Sequence, residues 1–145
     1  MELTFSPFRP ADLGEYAAWF ADGETSRRVS NPDAAWLAHV MGEAGAWAVR
    51  DGSGVLVAVV EAEGDAMRGY VSVTVEPSRR GHGIGADAIK KFHAGPGARF
   101  AVLEGRISPK NVASLAMVQK AGFILMASEP DVDGMLRYEL RKPGR

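Results

Sequence analysis

Cysteine is absent from this 145-residue chain, which excludes disulfides and thiolate zinc sites and fits a reducing compartment. No apolar run approaches the roughly 20 residues that a membrane-spanning helix needs, so a membrane is not expected among its partners. Neither sign of charge dominates, with 17 basic residues against 18 acidic ones. No global field then draws the chain to nucleic acid or to an anionic surface, and a small-molecule or peptide partner is the better expectation. The opening Met1-Glu2-Leu3-Thr4-Phe5 lacks the basic-then-apolar layout of a secretion signal. The expected location is the cytoplasm and the expected mature protein is the whole chain. There is no internal repeat and no low-complexity tract, and the basic end from Arg141 to Arg145, with Pro143 and Gly144, reads as a frayed tail.

What is present is the balance of a globular protein, 46% apolar and 24% charged residues. That length encloses one core, so a single domain over residues 1–145 is expected. Leu3 to Phe8 alternates as a strand, and Asp12 can cap a helix carrying Leu13, Tyr16, Ala17 and Phe20. Asp22 to Arg28 is polar and reads as a loop, whereas Asn31-Pro32-Asp33 opens a helix with Trp36, Leu37, Val40 and Met41 on one stripe. Ala46 to Arg50 and Val55 to Ala62 form a hairpin about Asp51-Gly52-Ser53-Gly54. After a turn at Gly64-Asp65, the strand Tyr70 to Val75 sets Val71, Val73 and Val75 on one face. A helix from about Gly85 to His93 and a strand through Phe100, Val102 and Leu103 complete a βαβ unit. Ser108-Pro109 starts a helix ending at Gly122, followed by strands Phe123 to Met126 and Leu136 to Leu140. The fold class is α/β around a mixed sheet.

Two segments carry chemistry. In Val73-Thr74-Val75-Glu76-Pro77-Ser78-Arg79-Arg80-Gly81-His82-Gly83-Ile84-Gly85 a strand feeds a glycine-rich turn that opens into a helix. Unpaired amides at a helix start, approached past glycines, suit an anion such as a pyrophosphate, and Arg80 adds a full charge. In the second, Ser108 to Phe123, the residues Asn111, Ser114, Val118 and Ala121 share one helix side. Asn111 is also a natural helix-start hydrogen-bonding residue.

Together these segments resemble the GNAT superfamily of N-acetyltransferases. Arg80 to Gly85 matches its Arg-Gly-x-Gly-x-Gly cofactor loop, and Asn111, Ser114, Lys120, Gly122 and Phe123 match its second signature. The resemblance implies a mostly antiparallel sheet flanked by helices and splayed at its central strands. It implies acetyl-CoA as acyl donor and the primary amine of a small molecule or of a peptide or protein N-terminus as acceptor. It places the cofactor on Val73, Val75, Arg80, Gly81, His82, Gly83, Ile84, Gly85, Asn111 and Ser114, with a backbone N–H near Val75 polarising the thioester carbonyl. No metal is implied, and a homodimer is compatible with it.

The match departs from the family at both catalytic positions. A tyrosine acid seven residues after the Asn is replaced by Val118, leaving Ser114 as the candidate, and a glutamate base at the strand start is replaced by Gly69. Glu61 is the candidate base, although a two-residue turn at Gly64-Asp65 would set it against Arg68 as an ordinary ion pair. His82 reads as a solvent-facing or phosphate-contacting side chain, His39 and His93 as surface residues, and Trp19, Trp36 and Trp47 as core or pocket lining. Two other readings compete: a GNAT-like module that binds acyl-CoA or a partner without turnover, and a dinucleotide-binding unit with Glu104 as its acidic residue. The segments Gly23 to Asn31 and Asp131 to Met135 are expected to shape the acceptor pocket.

Overall fold

The run Leu56-Val57-Ala58-Val59-Val60 has no polar residue to turn toward water, and all five side chains are buried. A strand buried on both faces needs cover on both. The computed structural model, which describes residues 2–29, 31–42, 44–65 and 67–142, provides that cover. The strands are β1 Thr4–Pro7, β2 Gly45–Arg50, β3 Leu56–Gly64, β4 Arg68–Val75, β5 Val102–Ile107, β6 Ile124–Leu125 and β7 Leu136–Arg141. Helices α1 Leu13–Ala18, α2 Gly23–Arg28 and α3 Ala34–Met41 precede β2, while α4 Ile84–Ala94 and α5 Val112–Ala121 flank β5 in sequence. One sheet runs in the order β1-β2-β3-β4-β5-β7-β6. Among the described residues only β4 and β5 are parallel, and the crossover that a parallel pair requires is α4. This is the expected α/β fold with a mixed, mostly antiparallel sheet.

Two apolar clusters sandwich the sheet. Ile89 and Phe92 of α4 pack with Phe100, Leu103 and Val60 in one cluster. Tyr16, Trp19, Trp36 and Val40 pack with Phe8 and Val59 in the other. Trp19 and Trp36 are thus core residues, and Trp47 lies half-buried with its ring 4.9 Å from that of Phe92.

Several local expectations are corrected. Asp22 to Arg28 is not a loop: the Asp22 carboxylate accepts the Thr25 N–H at 2.9 Å and caps α2. Asp12 does not cap α1, because its carboxylate turns back to the Arg9 N–H at 2.9 Å and to Arg50 at 2.7 Å. The turn after β3 is longer than two residues, since Asp65 Oδ1 accepts the N–H groups of Met67 and Arg68 and the register pairs Gly64 with Gly69. Glu61 therefore faces Ser72, and the ion pair with Arg68 does not form. His93 is buried, with Nε2 2.9 Å from the Phe100 carbonyl, so it ties α4 to the chain entering β5. Met41 leaves its stripe and is exposed. Arg141 belongs to β7, and the rest of the expected frayed tail from residue 143 lies outside the described residues.

Arg68 is the anchor at the start of β4. Its Nη1 donates to Glu104 at 2.9 Å and to Glu139 at 2.7 Å, both of them buried carboxylates. Burial pushes the Glu139 carboxyl up, but the bonds and charges of Arg68 and Arg141 outweigh it and hold its pKa below the ordinary 4.5. A lowered folded pKa means stability that is complete above the ordinary value and lost as pH falls through the folded one. Arg68→Ala should cost about 1–3 kcal/mol at pH 7, because two buried carboxylates lose a donor. Urea denaturation from pH 7 downward checks this, with the gap between wild type and variant closing in acid.

Candidate functional site

The central parallel pair is short. β4 and β5 pair only at Arg68 with Val102, Gly69 with Leu103 and Tyr70 with Glu104. Beyond that point β4 stays with β3 as far as Val75, and β5 stays with β7 as far as Ile107. The sheet thus splays, leaving the β5-facing edge of Val71 to Val75 without a strand partner among the described residues. Gly69 sits at the root of the splay, where an added Cβ would stand 2.8 Å from the Phe100 ring. A glutamate at this position would have to displace a fully buried aromatic ring.

Beside the free edge lies a cavity of about 340 Å³. Val73 and Val75 border it from the sheet, Gly81 and Gly83 from the loop, Ile84 and Gly85 from the start of α4, Asn111 from the cap of α5 and Ser114 from α5 itself. Gly81 and Gly83 have φ of +80° and +82°, a left-handed conformation that side chains with a Cβ disfavour. The first backbone bond of α4 runs from the Asp87 N–H to the Gly83 carbonyl at 3.1 Å. The amides of Ile84, Gly85 and Ala86 precede that ladder and carry the positive end of the helix dipole. Gly85 is required for a different reason: a Cβ there would reach 2.3 Å from Met117 Sδ and 3.3 Å from Val75, so its lack of a side chain lets α4 close on α5 and β4. The loop can therefore receive an anionic group at its backbone.

The loop side chains behave differently. Arg80 borders the cavity, but its guanidinium donates to Asp22 at 2.8 Å and to the Thr25 hydroxyl. The Thr25 backbone bond and the Arg80 bond hold the Asp22 carboxyl down to about 2. Arg80 is thereby a strut between the loop and α2. His82 is exposed, stands outside the cavity lining, and places Nδ1 3.2 Å from the Arg79 carbonyl.

On α5, Asn111 Oδ1 accepts the Ser114 N–H at 3.2 Å and so caps the helix one turn later than Ser108 would. Val118 is buried in the core and does not border the cavity, so nothing at that position can serve as an acid. On the other face of the splay, Tyr16 is fully buried with no hydrogen-bond partner for its hydroxyl. That hydroxyl approaches Thr74 without well-formed bonding geometry, and burial pushes its pKa above the ordinary value.

A second cavity, of about 320 Å³, borders Tyr70, Val71 and Ser72, the stretch of β4 just before the one that borders the first. Glu61 lines it and accepts the Trp36 Nε1–H at 3.0 Å. Burial raises the Glu61 pKa, partly opposed by the Trp36 bond and the His39 charge. Glu63, Glu104 and Arg106 also line it. Arg106 is bonded to Asp131, so the Asp131 to Met135 turn reaches this wall only through that arginine. The expected acceptor-shaping segment Gly23 to Asn31 instead contributes Glu24, Thr25, Arg28 and Val29 to the first cavity. Glu104 is bonded to Arg68, and the described strands hold one parallel pair instead of the run of parallel strands that a dinucleotide fold is built on, which removes the dinucleotide reading.

Sequence reading missed α2, the Asp22–Arg80 strut and the Trp36–Glu61 bond. The first had a signal, an Asp three residues before a Thr. The other two join residues 58 and 25 positions apart and had none.

Residues 2–124 match the family model described as "Acetyltransferase (GNAT) domain", and the chain belongs to that family. The fold is shared with the aminoglycoside acetyltransferase AAC(6')-Ib in complex with coenzyme A and kanamycin, at 14% identity and a TM-score of 0.76 over 97% of this chain and 95% of that one. It is shared with a spermidine N-acetyltransferase SpeG chimera from Vibrio cholerae and hSSAT, at 13% identity and 0.76 over 97% and 96%. The GNAT domain of S. lividans PAT aligns at 16% identity and 0.77 over 95% and 89%. No curated protein matched by sequence.

The capping geometry makes a direct prediction. Asn111→Ala should cost about 1 kcal/mol and lower the melting temperature by roughly 2–4 °C, while Asn111→Asp retains most of the stability. Calorimetric scans of the two variants check it.

Proposed function

We propose that this protein transfers an acetyl group from acetyl-CoA to a primary amine of a small molecule or of a peptide or protein N-terminus, by direct attack, in a cytoplasmic setting. The observation that carries the reading is the splay: a free β4 edge running alongside a cavity that begins at the unpaired amides of α4. Acetyl-CoA would bring an activated thioester to this groove. The amides from Gly81 to Ala86 would hold its diphosphate, and the edge at Val73 and Val75 would bond its amide-rich arm as an added strand does. A backbone N–H in the Val75 region would polarise the carbonyl, with no side chain needed. Asn111 and Ser114 border the same groove, and Ser114 is the residue we assign to protonating the leaving thiolate. Structures that share this fold, the aminoglycoside acetyltransferase AAC(6')-Ib in complex with coenzyme A and kanamycin or with acetyl-CoA and a spermidine N-acetyltransferase chimera, are in keeping with this donor and with an amine acceptor.

The acceptor must lose a proton. At pH 7 roughly one lysine side chain in 2,500 is neutral, against about one α-amine in ten. Glu61 is the base we assign, since it borders the second cavity beside the same strand and burial brings its pKa toward the working range. A base must be unprotonated, so activity should rise with pH through a value above the ordinary 4.5. Glu61→Gln should lower kcat/KM by about a hundredfold and abolish that acidic limb. Thiol release measured against a panel of amines at several pH values checks this.

Gly69 and the buried Val118 favour one other reading, a domain that binds acyl-CoA without turnover. A rise in melting temperature with acetyl-CoA, combined with no thiol release across the amine panel, would establish it.

A further inference from the structure

Four cationic side chains border the first cavity: Arg28, Arg79, Arg80 and Lys120. Three have a carboxylate within ion-pair distance. Arg28 Nε donates to Glu24 at 2.9 Å, Arg79 lies 3.5 Å from Glu76, and Arg80 donates to Asp22 at 2.8 Å. Lys120 has no hydrogen bond or ion pair among the described residues. Its position is nonetheless defined, because Nζ lies 2.8 Å from the point where a Cβ would stand on Gly83, the residue that precedes the first turn of α4.

An ammonium thus stands at Gly83, the cap of an 11-residue helix whose first three amides, on Ile84, Gly85 and Ala86, precede its backbone ladder. Two positive groups brought together in this way repel each other, and an anion in the cavity between them relieves the repulsion. The last turn of α5, which carries Lys120, offers only the partial negative charge of a helix end, not an ionic partner. Arg80, the cation that the loop pattern points to, is already neutralised by Asp22.

We infer that Lys120 is a binding residue for the diphosphate of the acyl-CoA donor, closing from α5 the cradle that the Gly81 to Gly85 backbone forms, while Arg80 serves to fasten α2 to the loop. This rests on the acetyltransferase reading. A point charge on a flexible stem meets a diphosphate without demanding a fixed geometry, so arginine at this position would substitute in part.

Isothermal titration of coenzyme A and of dephospho-coenzyme A, which keeps the diphosphate but lacks the 3′-phosphate, tests the assignment. Lys120→Met should weaken both ligands by about tenfold and flatten the salt dependence of binding. Lys120→Arg should recover most of the loss. Lys90→Met, which removes an exposed charge outside the cavity lining, should leave affinity unchanged. A loss confined to coenzyme A would make Lys120 a reader of the 3′-phosphate and overturn the inference. So would unchanged binding of both ligands by Lys120→Met. Failure of the wild-type chain to bind either ligand would instead bring down the acetyltransferase reading, and this inference with it.

Discussion

The parting of β4 from β5 after three residue pairs is the constraint on which the rest of the molecule depends. Arg68 fastens the start of β4 to carboxylates on β5 and β7, and Gly69 lets the strand lie against Phe100. Past that root, each strand keeps a partner on its outer side only. An interior sheet edge without hydrogen bonds is costly when dry, so the gap is stable because it opens onto a cavity that water or a polar chain can fill. The groove is therefore a property of the sheet itself rather than of a loop laid over it.

Glycines do three separate jobs around this groove. Gly81 and Gly83 adopt left-handed backbone angles, Gly85 permits helix, helix and strand to meet, and Gly69 makes room for a buried ring. Only in the first pair does the backbone conformation itself call for glycine. The motif thus combines a conformational demand with a packing demand, and substitutions at its members should fail in different ways.

Much of the fold was legible in the sequence because its signals are local. The apolar run from Leu56 to Val60, the turn at Asp51 to Gly54 and the Asp33 cap each depend on residues a few positions apart. The register after β3 was not legible, because Asp65 draws two following amides into a longer turn than Gly64-Asp65 suggests. That single difference moved Glu61 from an expected partner in Arg68 to a position opposite Ser72 and under Trp36. Which side chains border the groove followed well from the two motifs, save for His82. What each does there depended on partners far along the chain, as Arg80 illustrates with Asp22 and Thr25.

The Asp22–Arg80 pair has an implication for how such a chain can change over generations. One member starts α2 and the other belongs to the glycine loop, so altering either alone leaves its half-buried counterpart with an uncompensated charge. Drift in the segment around α2 is then not free to proceed independently of the loop. The two positions should accept substitution as a unit, which ties the history of one wall of the groove to that of the other.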